Sequence, residues 1–134
     1  MIRMYRYSGA ESSYMMVDAR DAEVPRFRNR STVHALCLMN AVDGLVIINR
    51  SENADFLMEF FGADGRPGAL AADAARCAVA YADLLGVKPF HTQDYVFEFG
   101  GERFEARIEV HLGESKTVRF NGEEGTVFCE GEMD

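Results

Sequence analysis

The sequence predicts a single α+β domain in which a curved, mostly antiparallel sheet surrounds one buried helix. Residues 69–85 are apolar on nearly every face, which is typical of a helix inside a core. Short runs of strand-forming residues, separated by glycine-containing turns, account for most of the rest. The chain has 134 residues, of which 48% are hydrophobic, so we expect one domain over residues 1–134 with a substantial core.

The first third of the chain is predicted to contain a short strand, an apolar run and a helix, at residues 2–7, 14–17 and 25–39. A turn at Ser8-Gly9-Ala10 separates the first two. Pro25 suits the start of a helix, because a proline has no N–H and the first helical N–H groups have no partner. Val33, Leu36 and Cys37 then follow at helical spacing.

The remainder is predicted to hold six strands and the apolar helix, in the order 45–48, 54–61, 69–85 (the helix), 95–99, 104–110, 118–120 and 127–129. Gly86 suits the residue that ends a helix in the left-handed region. Gly100-Gly101 is a two-residue hairpin turn signal between alternating segments. Asn121-Gly122 is a similar turn signal between the last two strands.

Charge and cysteine content limit the classes of partner. The formal net charge is −8, so nucleic acid and anionic membrane surfaces are predicted not to be partners. Three widely spaced cysteines do not form a disulfide framework. No apolar run approaches the ~18 residues of a membrane span, and residues 1–10 lack the apolar core of a signal peptide. A cytoplasmic location is the expectation.

No motif for a metal, a phosphate or a nucleophile is predicted. His34 and Cys37 lie three residues apart on one helix, but two ligands do not make a metal site and no second pair exists. His91 and His111 flank strands without a nearby nucleophile motif, so we interpret them as surface or loop residues. The glycines at 62, 65 and 68 do not match a phosphate-binding loop.

The start of the apolar helix is the most suggestive place for a ligand. Free backbone N–H groups there, together with the helix dipole, favour an anion such as a carboxylate. Asp73 lies in that first turn, however, and its own carboxylate can cap the same amides and compete with an incoming anion. A plain helix cap and a ligand site both fit the sequence, and the cap is the simpler interpretation.

The order of these segments resembles the first half of diaminopimelate epimerase. The family's H-G-x-G-N-D-F, Val/Ile-Asp, D-G-L, F-N-A-D-G and M-C-G-N-G-x-R-C-x-A-x-Y segments correspond to residues 8–14, 16–20, 43–47, 61–65 and 70–81. The family's later hairpin has a counterpart around Gly100-Gly101. The match is collinear over nearly the whole chain. The resemblance implies a half-barrel of strands around a central helix, a fold that phenazine-biosynthesis isomerases and proline racemases share.

The resemblance also implies what the chain lacks. The family moves an α-proton without pyridoxal phosphate or another cofactor, using two cysteines, one from each half, each at a helix N-terminus. The first cysteine corresponds to Ala71, whose methyl group cannot carry a proton. Cys77 lies six residues further on, which is ~9 Å along a helix. The family's substrate-holding asparagines correspond to Ser12, Gly62 and Asp73, and its second half has no counterpart here.

Three hypotheses follow. The first is a non-catalytic, single-domain relative of the epimerases that forms a homodimer through the surface that meets the second half in the family. The second is a binding or regulatory module for a small amino acid or amine. Its candidate pocket consists of Ser12, Ser13, Gly62, Ala72 and Asp73. The third is an amino-acid isomerase subunit that needs a partner chain, which by resemblance would belong to lysine biosynthesis.

Overall fold

The structure, a computed structural model, describes residues 2–90 and 93–133. The strands are β1 (Met4–Gly9), β2 (Ser12–Asp18), β3 (Gly44–Asn49), β4 (Phe56–Gly62), β5 (Asp94–Phe99), β6 (Glu102–Leu112), β7 (Ser115–Phe120) and β8 (Glu123–Met133). The helices are α1 (Arg30–Asn40), α2 (Ala72–Leu84) and a short 3-10 helix, Pro25–Arg28. No helix in these ranges is long and apolar enough to cross a membrane.

The strands form a closed barrel in sequence order, with β1 also paired to β8. The pairs β2–β3 and β4–β5 are parallel and the other six are antiparallel. The α+β class and the mostly antiparallel sheet around one helix therefore agree with the prediction. The half-barrel is not confirmed, because the β1–β8 pairing closes the sheet on itself and leaves neither end strand unpaired.

Helix α2 fills the barrel. All residues from 74 to 82 are buried, and five of these nine are alanines. An eight-stranded barrel leaves an interior of limited width, so a helix fits only if most of its side chains are small. Tyr81 and Arg76 are the large exceptions, and the Tyr81 ring lies 5.7 Å from that of Tyr5 and 5.8 Å from that of Tyr7. The apolar character of residues 74–82 is therefore explained by their burial on every side.

A second core lies outside the barrel, where α1 covers β2 and β3. Val33 and Cys37 of α1 pack with the outward-facing side chains of these strands. Those outward side chains are Met15, Val17, Leu45 and Ile47. Because helices cover both faces of β2 and β3, the two strands are continuous apolar runs rather than alternating ones.

The predicted helix over residues 25–39 is divided in the structure. The 3-10 turn that begins at Pro25 stops at Arg28, and Asn29 then adopts an extended conformation. The Asn29 side chain accepts a hydrogen bond from the Thr32 amide at 3.1 Å, which makes Asn29 the N-cap of α1. The sequence predicted one uninterrupted helix because the helical spacing of apolar residues continues through this break.

The last two strands are longer than the sequence predicted. β7 and β8 have 6 and 11 residues, whereas only residues 118–120 and 127–129 are apolar enough to be recognised. Their remaining residues are mainly polar ones that stabilise each other across the outer face. Arg119 contacts Glu124 on the neighbouring strand at 2.5 Å, and Thr117 lies hydrogen-bonded to Thr126 at 3.1 Å.

Substitution Asn29→Ala is expected to lower the free energy of unfolding by about 1 kcal/mol, because it removes the side-chain acceptor from the start of α1. Urea denaturation measures the change. Ser31→Ala, in the same exposed first turn, is the matched control and is expected to have little effect. Equal stabilities of the two variants would contradict the assignment of Asn29 as the cap.

Candidate functional site

The start of α2 lies at one end of the barrel, and Ala71 is its N-cap. Ala71 has an extended backbone, with φ −93° and ψ 137°, and its carbonyl accepts the first helical hydrogen bond from Ala75 at 2.9 Å. A methyl group offers the free amides of this turn no acceptor. At the position where the resemblance expects a catalytic thiol, the structure therefore has a side chain without acid, base or hydrogen-bonding capacity.

Asp73 in this first turn is paired with a buried arginine. Arg76 has only 6% of its surface exposed, and its Nη1 donates to Asp73 Oδ1 at 3.0 Å. Its Nη2 donates to the Glu123 carbonyl at 3.2 Å, which joins α2 to the start of β8. Arg76 Nε is buried without a partner among the described residues. The negative charge of Asp73 is thus matched inside the protein.

One glycine makes room for this ion pair, and a second glycine lies beside it. A Cβ at Gly125 on β8 would lie 2.8 Å from Arg76 Cδ and 2.9 Å from its Nε, closer than real contacts allow. A Cβ at Gly9 on β1 would lie 2.9 Å from Val127 and 3.7 Å from Asp73 Cγ. The barrel wall therefore approaches the ion pair from two strands, and it leaves the guanidinium little freedom to move.

Ser12 is the predicted serine that faces the start of α2. It pairs with Gly9 in the β1–β2 hairpin, and it shares the inner face of β2 with Tyr14. Tyr14 is buried, and its ring lies 5.9 Å from that of Phe60. Burial raises the pKa of the Tyr14 hydroxyl, and a hydrogen bond with Ser12 partly offsets that effect. At neutral pH Tyr14 is therefore a neutral hydrogen-bonding group, not a base.

Ser13 lies on the opposite, outer face of β2. Its hydroxyl accepts from Arg6 Nη2 at 3.3 Å, and its amide donates to Asp43 Oδ2 at 2.9 Å. Gly62 lies at the end of β4, in the same row of the sheet as Tyr14, with Gly44 between them. The structure thus brings Ser12, Ala72 and Asp73 to one end of the barrel, Gly62 two strands away, and Ser13 to the outside.

The two cysteines on helices are not nucleophiles. Cys77 is fully buried in the barrel, and burial raises the pKa of its thiol strongly. Burial in the outer core also raises the pKa of Cys37, to about 11. Both thiols therefore stay protonated at neutral pH, and neither can replace the thiol that is absent at Ala71.

The histidines considered in the sequence are dispersed. His34 Nδ1 lies 3.0 Å from the Ala63 carbonyl, whereas the Cys37 side chain packs into the outer core. His91 lies outside the described residues. His111 is on β6, at the other end of α2 from Asp73, with its Nδ1 3.9 Å from Asp83 Oδ2. Within residues 2–90 and 93–133, no three His, Cys, Asp or Glu side chains are grouped as metal ligands would be.

Arg76 is the residue at this site that sequence reasoning missed. With Asp73 and Asp83 it forms the only charged stripe of α2, and such a stripe normally faces solvent. The spacing of Asp73 and Arg76, three residues apart, is the signal that could have indicated an ion pair on the helix. Only the closed barrel shows that the pair is enclosed.

Comparison with known proteins finds no matching family model. The diaminopimelate epimerase of Chlorobaculum tepidum is 35% identical over 104 residues, which cover 75% of this chain and 39% of that protein. Two further curated diaminopimelate epimerases match at 27% and 26% identity. These relatives confirm the resemblance to diaminopimelate epimerase. The chain spans about two-fifths or less of the length of these relatives.

Solved structures show the same fold at low sequence identity. The PhzF-family phenazine biosynthesis protein of Bacillus anthracis has a TM-score of 0.63 and 14% identity, covering 87% of this chain and 39% of that chain. A probable proline racemase of Agrobacterium radiobacter has a TM-score of 0.59 and 10% identity, covering 88% of this chain and 41% of that chain. The predicted relation in fold to both groups is confirmed.

Substitution Gly125→Ala is expected to lower the free energy of unfolding by about 1–3 kcal/mol, because the new methyl group overlaps the enclosed Arg76 side chain. Chemical denaturation measures it. The matched test repeats the substitution in an Arg76→Ala background, where the overlap no longer exists and the added cost is expected to vanish. An equal cost in both backgrounds would show that Arg76 is not what requires the glycine.

Proposed function

We propose that this chain is a non-catalytic, diaminopimelate epimerase-like barrel. The observation that carries the proposal is Ala71 at the N-cap of α2, because proton transfer at a substrate carbon needs a positioned acid or base. The nearest carboxylate, Asp73, is held by the buried Arg76 at 3.0 Å. The Asp73 carboxylate is already engaged by this guanidinium, so the pair offers no free group in place of a thiol.

The pairing of Asp73 also bears on the two alternatives. A pocket for an amine around Ser12, Ser13, Gly62, Ala72 and Asp73 requires an unmatched negative charge, but Arg76 already occupies the Asp73 carboxylate. An isomerase subunit that works with a partner chain requires the partner to provide every proton-transferring group. The non-catalytic barrel needs neither condition, and it is the function that the geometry supports best.

The purified protein is expected not to exchange the α-proton of diaminopimelate. Proton NMR of diaminopimelate in D2O measures exchange as loss of the α-proton signal. The Chlorobaculum tepidum relative, run in parallel, is the positive control. Signal loss at a rate proportional to the concentration of this protein would overturn the proposal. In that case Asp73→Asn would test whether Asp73 is the base.

Self-association is part of the same proposal, and exposed apolar side chains on the outer face of the barrel support it. Val110 and Leu112 on β6 are 42% and 70% exposed, and Phe128 on β8 is 48% exposed. Leu112 and Phe128 both pair with Ser115 of the intervening β7, so they share one row of the sheet. Isolated apolar residues are common on surfaces, but three on two strands of the same outer face favour a contact surface.

Light scattering at micromolar concentration is expected to give the mass of a dimer. Phe128→Ser is expected to shift the protein towards the monomer, because it removes the largest apolar group of this face. Leu38→Ser, at a 69% exposed residue of α1, is the matched control and is expected to leave the mass unchanged. A monomeric wild-type protein would contradict self-association, and equal behaviour of both variants would contradict this choice of surface.

A further inference from the structure

Asp83, in the last turn of α2, is an enclosed carboxylate without a close cationic partner. Its side chain is only 21% exposed. Two other partly enclosed carboxylates are held by arginines, Asp73 by Arg76 and Asp18 by Arg20. For Asp83 no Lys or Arg nitrogen of the described residues comes within 4.0 Å, and the nearest basic atom is His111 Nδ1 at 3.9 Å.

The surroundings of Asp83 further favour a cation beside its carboxylate. The C-terminal carbonyl groups of a helix carry a partial negative charge, which favours cations and disfavours a carboxylate in the last turn. The Tyr95 hydroxyl does not supply the positive charge that the Asp83 carboxylate lacks. Its hydroxyl has one hydrogen but lies 2.7 Å from the Val87 carbonyl and 3.1 Å from Asp83 Oδ1. When the hydroxyl donates its hydrogen to the nearer Val87 carbonyl, the Asp83 carboxylate faces a lone pair of the Tyr95 oxygen.

A cleft of about 480 Å³ opens onto this carboxylate, between the end of α2 and strands β5 and β6. Pro89 and Ile108 give it apolar walls. Glu109 also lines it, but Glu109 Oε1 already accepts from Arg119 Nε at 3.2 Å. Lys88 lies on the lining as well. Asp83 is therefore the carboxylate of the cleft that is open to an incoming donor.

We propose that this cleft binds a small protonated alkylamine. The ammonium group lies against Asp83 Oδ2 and the Tyr95 oxygen, and the alkyl chain lies against Pro89 and Ile108. An ammonium has three N–H donors, which suits a carboxylate oxygen beside a hydroxyl oxygen. A hard metal ion would need about six oxygen ligands, more than these two groups provide. The site is at the opposite end of α2 from Asp73, and it does not rest on the proposed function.

The test is an NMR titration of the isotopically labelled protein with n-butylammonium at pH 8. Saturable shifts of the Asp83, Tyr95 and Ile108 amides are expected. The uncharged n-butanol, with the same chain, is expected to leave them in place. Asp83→Asn is expected to weaken binding by about tenfold or more, because it removes the charged acceptor.

Asp94→Asn is the matched control. It removes the same charge from the neighbouring residue of Tyr95, but the Asp94 carboxylate pairs with Arg107 at 2.6 Å and is not part of the cleft lining. Its affinity for butylammonium is expected to equal that of the wild type. If Asp83→Asn fails to fold, Lys88→Met gives an independent test. It removes a like charge, so it is expected to tighten binding about twofold to threefold.

Three outcomes would overturn the proposal. One is the absence of saturable shifts in the cleft. Another is an equal response to n-butanol, which would show that the ligand binds through contact with the apolar walls alone. The third is unchanged affinity in a folded Asp83→Asn variant, or in Lys88→Met if that variant alone is folded.

Discussion

The enclosure of α2 by a closed barrel is the constraint on which the rest of the structure depends. A helix that touches strands on every side can carry large or charged side chains only where the wall makes room for them. Alanines occupy most of its buried positions, and Tyr81 fits by packing against two tyrosines of β1. The single buried charge, Arg76, fits because Gly125 removes a side chain from the opposing strand.

The same constraint accounts for the ion pair at the start of α2. An arginine in the barrel would be costly without a partner, and Asp73 one turn earlier provides one. The pair joins the helix to β8 through the Glu123 carbonyl and occupies the carboxylate that a ligand would otherwise contact.

The two ends of α2 are electrostatically opposite. At the N-terminus an acidic side chain suits the helix dipole and is also paired with an arginine. At the C-terminus Asp83 opposes the dipole, and its side-chain contacts among the described residues are with the Tyr95 hydroxyl and His111. An unfavourable charge in an enclosed place has a cost in stability, and the amine site proposed in the cleft beside it gives that charge a role.

The sequence by itself determined the class of fold, the buried helix, most strand positions and the alanine at position 71, where the resemblance expects a thiol. These features depend on local periodicity, turn residues and identity at one position, all of which are properties of neighbouring residues. The break at Asn29 and the full lengths of β7 and β8 were not predicted. The spacing of apolar residues contains no information about a helix cap or about the polar outer face of a strand. Closure of the barrel, the burial of Arg76 and the cleft at Asp83 were decided only by tertiary structure. Each depends on which strand lies opposite a side chain, and contacts such as Arg76 with Gly125 or Asp83 with His111 join residues that are distant in the chain.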